Sequence, residues 1–259
     1  MTELALRMTG ADFLKLRRKR WLVWLSMFLT LGIIVIAFIY TISAHASNSN
    51  NSPAGGINRY TDDLRVLALF FGPLAAVLIG IEAGTGDAAA GVFRDLVVTG
   101  RSRLALFASR VPAALGLCWA VTGTAYALIA IGSAVFASGL PTPSGALIVN
   151  GLLFSLFATG VLCVIAVGFA SLTASRAGAI VTLIAWQIVA SPILASISSL
   201  GSARRVILSQ AIAHFSPVSA EGRHGATVAM STGTALIVVL GWLVVFVALG
   251  AWRTRTMDA

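Results

Sequence analysis

Few side chains in this sequence could do chemistry. The only histidines are His45, His214 and His224, the only cysteines Cys118 and Cys163, and the only lysines Lys15 and Lys19. His214, Glu221 and His224 are the one grouping rich enough in ligands to suggest a metal, but their spacing matches no helical ligand pair and reads as surface histidines in a loop. The G-x-S-x-G nucleophile elbow and the metalloprotease H-E-x-x-H are both missing. Both lysines lie in the basic N-terminal stretch, so no glycine-rich loop can supply the lysine that grips a nucleotide phosphate. The cysteines fall inside apolar runs, where a thiol packs as a small hydrophobe. No catalytic residue, metal site or cofactor site is therefore expected on this chain.

The elements that must position what remains are long and apolar. Of 259 residues, 58% are hydrophobic and 10% charged, with a mean hydropathy of +0.94. A soluble domain carries about 25% charged residues. Lipid must therefore be the main solvent. The net charge of +9 is spread beside the apolar runs instead of forming one patch, which fits anionic headgroups and excludes nucleic acid as the partner. Six runs approach or exceed the roughly 20 helical residues that cross a bilayer. They lie near Trp21–Tyr40, Val66–Ile81, Val111–Phe136, Ala146–Thr173, Ala179–Ile197 and Ala235–Trp252. The second starts about a turn earlier on length grounds, and the fourth is long enough to tilt or break at Gly160 or Gly168.

Thirteen of the eighteen basic residues fall on one side of these runs and five on the other, which predicts cytoplasmic termini. Ala44-His45-Ala46 has the form of a signal-peptide cleavage site, but the apolar run before it is too long for a signal core and reads as an uncleaved anchor. None of the six runs contains Asp, Glu, Lys, Arg or His. Ion-coupled carriers generally keep a carboxylate or histidine at membrane depth, although backbone carbonyls can bind sodium without one. There is no internal repeat and no soluble domain, so the chain reads as a single transmembrane domain over 1–259.

Three segments outside the runs are informative. In residues 1–20, Leu6, Phe13 and Leu16 share a helical face opposite Arg7, Lys15, Arg18 and Lys19, which predicts a helix lying in the headgroup layer. Residues 45–63, with S-N-S-N-N-S-P-A-G-G, read as a flexible external loop, and 137–145 as a tight turn at Pro141 and Pro143. In the external loop 198–230, Ile207, Leu208, Ala211, Ile212 and Phe215 share a face that could dip into the outer leaflet, and Pro217 closes the segment. The third segment, the cytoplasmic loop 82–110, puts Val92, Phe93, Leu96 and Val97 on one arc with Arg94 and Asp95 outside it. Thr99-Gly100 then marks a stop, and the chain turns back through Arg101-Ser102-Arg103. A short helix with one apolar face, held tightly between two spans, is a knob shaped to enter a partner's groove.

The stretch from Glu82 to Arg103 resembles the coupling-helix region of type-2 ATP-binding-cassette transporter permeases. These carry an acidic residue at the end of the second span and then a G-T-x-R-x-L-L-x-T/S-G/P-x-S-R run. Glu82 matches the acidic position, and Gly91, Arg94, Leu96, Thr99, Gly100, Ser102 and Arg103 match the run, while Val92 and Val97 replace the usual threonine and second leucine. In layout the resemblance extends to six spans, cytoplasmic ends, a basic helix before the first span and short external helices before the last.

The resemblance implies an all-α permease subunit of an exporter in a bacterial cytoplasmic membrane. ATP and magnesium would sit on two copies of a separate ATPase, and a second permease copy or a related chain would face this one. Glu82 would pair with Arg94 or Arg101 at the cytoplasmic mouth. The first, second and fifth spans would line the path, with Phe70, Phe71, Trp186 and Gln187 along it and kinks at Pro73 and Pro192. Such a path suits amphipathic or hydrophobic cargo: a drug, a peptide or a lipid. The alternatives are a partner-independent carrier or channel, and a membrane scaffold or immunity-type protein that moves nothing.

Overall fold

In the computed structural model, residues 2–47, 54–89, 91, 102–173, 175–218 and 228–256 are described, and the chain is helical with no strand among them. An N-terminal helix, α1 (Thr2–Arg18), precedes α2 (Arg20–Ser47). Then α3 runs through three consecutive pieces, Gly56–Arg65, Val66–Phe71 and Gly72–Ala89. It is followed by α4 (Arg103–Val135), α5 (Gly145–Thr173), α6 (Arg176–Ser196), the short α7 (Leu208–Ala213) and α8 (Thr232–Thr256). Six of these, α2 to α6 and α8, are long and apolar enough to cross a membrane, which is the build of a multi-pass membrane protein. The end of the bundle carrying α1 and the α3–α4 connection is called the basic end below, and the other the far end.

The middle of the bundle is α3 against α5, and small residues let the two backbones touch. Gly80 and Gly84 share a face of α3. A methyl group at Gly84 would lie 2.6 Å from the Val167 carbonyl oxygen of α5, and one at Gly80 would meet the Cys163 carbonyl at 2.5 Å. Gly-x-x-x-Gly spacing is the common device for such contacts where lipid gives no hydrophobic drive between helices. Gly168 of α5 meets Gly250 of α8 in the same way. The break expected at Gly160 or Gly168 does not occur: α5 is unbroken, and its glycines admit a neighbour instead. Cys118 and Cys163 are both buried and free.

Three spans are not regular. Each of α2, α3 and α6 contains a π-helical turn, at Phe28–Gly32, Val66–Phe71 and Trp186–Ala190, whereas α4, α5 and α8 are plain α-helix. Two of the causes are legible. Pro73 and Pro192 lie just past the second and third π-turns, and a proline ring collides with the carbonyl four residues back, so the wider turn makes room. In α2 the hydroxyl of Thr30 donates to the Ser26 carbonyl at 2.9 Å, a bond that also loosens a helix.

Sequence and structure part company at the helix ends. Residues 56–63, expected in a flexible loop, belong to the first turns of α3. Tyr60 and Leu64 are completely buried there. The Tyr60 and Tyr126 hydroxyls share a 2.7 Å hydrogen bond, Tyr60 also donates to the Leu147 carbonyl at 3.1 Å, and Arg59 pairs with buried Asp63 at 2.7 Å beneath the Phe38 ring. These polar residues, expected in a flexible external loop, are packed into the bundle and paired with one another, although Arg59 Nε and Asp63 Oδ2 keep no hydrogen-bond partner. The uncharged runs hold as runs, yet the helices outrun them, so Arg59, Asp63, Glu82, Asp87 and Arg110 all sit within span helices.

The Tyr60–Tyr126 bond can be tested. Tyr60→Phe removes one hydroxyl while Tyr126 keeps the Ile148 carbonyl as acceptor. The expected loss is about 1 kcal/mol, read as a small drop in the thermal midpoint of detergent-solubilised protein.

The apolar face of α1 also has a different use. Phe13 packs toward Gly116 of α4 and Leu16 is buried, while Leu6 is exposed, so the inner face is docked on the bundle and not free to lie in headgroups. The face predicted at Ile207, Leu208, Ala211 and Ile212 is buried as drawn, but it turns inward, and Phe215 meets Phe157 of α5 edge to face at 5.4 Å.

Candidate functional site

At the basic end α1 folds back along the bundle, and its positions three and four apart put Asp12, Lys15 and Lys19 on the inner side. Lys19 is the one non-helical residue between α1 and α2 (φ −75°, ψ 82°), which aims its ammonium at Glu82 of α3. The other Glu82 oxygen lies 3.1 Å from the Arg176 guanidinium, at the first turn of α6. One turn further along α3, Asp87 accepts from Lys15 at 3.0 Å and from Arg110 of α4 at 3.0 Å. Asp12 accepts from Ser109 of α4 at 2.6 Å. Two carboxylates of α3 thus hold four cations drawn from α1, the α1–α2 joint, α4 and α6. Burial alone would lower the Lys15 ammonium, but the Asp87 hydrogen bond and the charges of Asp87 and Asp12 outweigh it and hold its pKa above the ordinary value.

This knot bears on one expectation. Glu82 pairs with Lys19 and Arg176, while Arg94 and Arg101, the partners expected for it, lie outside the described residues. Besides Glu82, two of the candidate coupling residues, Gly91 and Arg103, are placed. Gly91 is exposed and adopts φ 68°, a left-handed backbone conformation that favours glycine, two residues past the end of α3. Ser102 caps α4 by accepting from the Ala105 amide at 3.2 Å, and Arg103 donates to the Arg255 carbonyl at 3.2 Å. The rest of the expected coupling segment, Val92, Phe93, Arg94, Asp95, Leu96, Val97, Thr99, Gly100 and Arg101, lies outside the described residues.

Toward the far end a cleft of about 730 Å³ opens between α3 and α6. Arg65, Val66, Leu69, Phe70 and Pro73 form one wall. Gln187, Ile188, Ser191 and Pro192 form the other, and the α7 region closes the top with Ser209, Gln210 and Ser216. The hydroxyls of Ser191 and Ser209 hydrogen-bond and pin α7 over α6. Of the residues expected along a path, Phe70 and Gln187 line this cleft, and Phe70 is 56% exposed. Phe71 and Trp186 do not line it. Phe71 lies beside Phe70 with ring centres 6.1 Å apart, and Trp186 turns to Trp242 of α8 at 6.0 Å. Trp242 stacks on Phe246 at 5.5 Å and donates to the Val206 carbonyl, so Trp186 belongs to an aromatic seam between α6 and α8.

Sequence reasoning singled out Pro73 and Pro192 but not Arg65, Ser191 and Ser209 as cleft residues; Ser191 adjoins Pro192, while Arg65 and Ser209 carry no signal of their own. Among the described residues no group of His, Cys, Asp and Glu converges as metal ligands, and His214 instead bonds Thr232 at 3.2 Å. No protein-family model matches this chain, and no curated protein sequence matches it.

Proposed function

We propose that this chain is the permease subunit of an ATP-driven exporter, working in a bacterial cytoplasmic membrane with the basic end inward. Two permease copies, or this chain and a related one, form the path, and a separate ATPase pair grips the 92–100 segment. The observation that carries this reading is the ionic knot. The segment leaves α3 beside Glu82 and Asp87 and re-enters through α4 beside Arg110, so a pull on it is delivered to α1, α3, α4 and α6 together. Packed helices respond to such a pull as rigid bodies. The π-turns support the same reading, because irregular turns fall in the three spans that would line the path and at points where a helix can bend. The cleft between two of those spans supplies a mostly apolar surface with hydroxyl and amide groups, suited to amphipathic cargo.

Co-purification tests it. Tagged chain drawn from native membranes is expected to bring an ATP-binding-cassette ATPase with it. Phe93→Asp with Leu96→Asp should reduce that recovery at least tenfold, because two charges cannot enter an apolar groove without losing hydration. Undiminished recovery and transport in this variant would remove the coupling role of the segment.

A further inference from the structure

We propose that the cleft between α3 and α6 selects an uncharged amphiphile whose headgroup donates hydrogen bonds, received by backbone carbonyls that Pro73 and Pro192 set free. This names the chemistry of the cargo and rests on the permease reading for its purpose, but the binding is measurable without an ATPase.

The two walls repeat one arrangement. In α3 a wide π-type bond runs from the Gly72 amide to the Leu67 carbonyl, and Pro73 follows. In α6 the same bond runs from the Ser191 amide to the Trp186 carbonyl, and Pro192 follows. Neither proline has an N–H to give, so each span leaves one carbonyl of the preceding turn without a helical donor. The residues four and five back are Leu69 and Ala68 in α3, and Ile188 and Gln187 in α6, and all four line the cleft. A proline ring sits against the carbonyl four residues before it, so ring and carbonyl share a face. Pro73 and Pro192 both line the cleft, which turns the freed acceptors toward it from opposite walls. Backbone left unpaired at membrane depth is tolerated only where protein or a cavity supplies a partner.

Two side chains add to this surface. The serines of the lining are committed within the protein: Ser191 and Ser209 bond each other, Ser196 donates to the Ile193 carbonyl at 2.7 Å, and Ser216 donates to the Val218 carbonyl at 3.1 Å. Gln187 of α6 and Gln210 of α7 hold no side-chain hydrogen bond among the described residues. Each carboxamide brings two N–H donors and an oxygen acceptor to a mostly apolar surface.

Charge is not what the cleft offers. Arg65, the one charged residue among those lining it, pairs with Asp62 at 3.7 Å, and both are engaged by further contacts. An anionic headgroup would face carbonyl oxygens, and a cationic one would find no acid in the lining. Hydroxyls or amides on an alkyl chain can meet the freed carbonyls and both carboxamides while Val66, Leu69 and Phe70 hold the tail. The volume of about 730 Å³ falls within the roughly 300–1,000 Å³ typical of small-molecule sites.

The test uses the full chain in phosphatidylcholine nanodiscs, a lipid whose headgroup donates no hydrogen bond, without nucleotide or ATPase. The probe is 1-palmitoylglycerol with a photoreactive diazirine in its acyl chain, and mass spectrometry should place the label on residues 66–73 and 187–196. Unlabelled 1-palmitoylglycerol should compete. Methyl palmitate, which accepts but cannot donate, should compete at least tenfold more weakly, as should hexadecyl sulfate and hexadecylamine. Gln187→Leu and Gln210→Leu should each weaken the glycerol ester about fivefold to tenfold and leave methyl palmitate unchanged. Pro192→Ala, which restores an N–H to α6, should act in the same direction, because the helix then satisfies its own carbonyl.

The proposal is overturned if methyl palmitate competes as well as the glycerol ester, or if either charged amphiphile does. Label confined to the outer faces of α2 and α8, as ordinary lipid contact would give, also overturns it. The ligand series on the unaltered chain decides the matter even if a variant fails to fold. Undiminished ATPase recovery in the Phe93 and Leu96 variant would remove the coupling role and leave this site standing, whereas failed binding of the glycerol ester leaves a permease for other cargo.

Discussion

Removing both cations that hold Glu82 is expected to destabilise the protein far more than removing Glu82 itself. Lys19→Ala with Arg176→Ala leaves a carboxylate whose side chain is 5% exposed with neither of its ion-pair partners, whereas Lys19 and Arg176 are 36% and 41% exposed. A buried charge stripped of its partner costs about 3–5 kcal/mol. Glu82→Gln leaves two cations that are wet enough to be rehydrated. Its loss should fall nearer the about 1 kcal/mol of exposed pairs. Adding Glu82→Gln to the double variant should therefore restore stability, because the orphaned charge is gone. Thermal unfolding of the four proteins in one detergent reads the order. If the single Glu82 variant proves the worst, the acid is not the buried partner and the knot is misdrawn.

The second large effect is expected at the α3–α5 contact. Gly84→Val puts a branched side chain where even a methyl would lie 2.6 Å from the Val167 carbonyl oxygen, and a backbone atom inside a helix cannot step aside. Overpacking costs about 1–3 kcal/mol when side chains can shift, and more is expected here. Gly241→Ala is the contrast. No atom lies within 4 Å of the position a methyl would take in α8, so the better helix former should leave stability equal or raise it by roughly 0.5–1 kcal/mol. Expression level and unfolding midpoint of the pair check this directly. Equal stability of the Gly84→Val protein would mean that the two helices do not approach as closely as the carbonyl contact requires.

The spans were legible in the sequence because membrane thickness imposes a length and lipid imposes a composition, and both can be counted along a chain. Their ends were not legible, for a reason residues 56–65 make plain. A window over Arg59, Tyr60 and Asp63 is polar, yet Arg59 and Asp63 cancel one turn apart and Tyr60 spends its hydroxyl on Tyr126, a residue 66 positions away. Hydropathy counts polar groups and is blind to whether they have partners. The candidate site divides along the same line. Glu82 stands out in the sequence as the match to the acidic position of the permease resemblance, and the partners expected for it, Arg94 and Arg101, belong to its own loop. Lys19, between α1 and α2, and Arg176, at the start of α6, lie far from Glu82 along the chain, and no spacing pattern links them to it. The prolines marked where α3 and α6 bend, and from them the cleft followed, but the serines and Arg65 that give it chemical character carried no pattern of their own.

The central claim is that this chain moves cargo only when a second protein hydrolyses ATP against its 92–100 segment. Transport in proteoliposomes tests it most directly, with the chain reconstituted either alone or with the ATPase recovered beside it. The account predicts ATP-dependent accumulation of cargo in the joint vesicles, none from the lone chain, and none from the joint vesicles when Phe93 and Leu96 are aspartate. Accumulation against a gradient by the lone chain in nucleotide-free vesicles would contradict it.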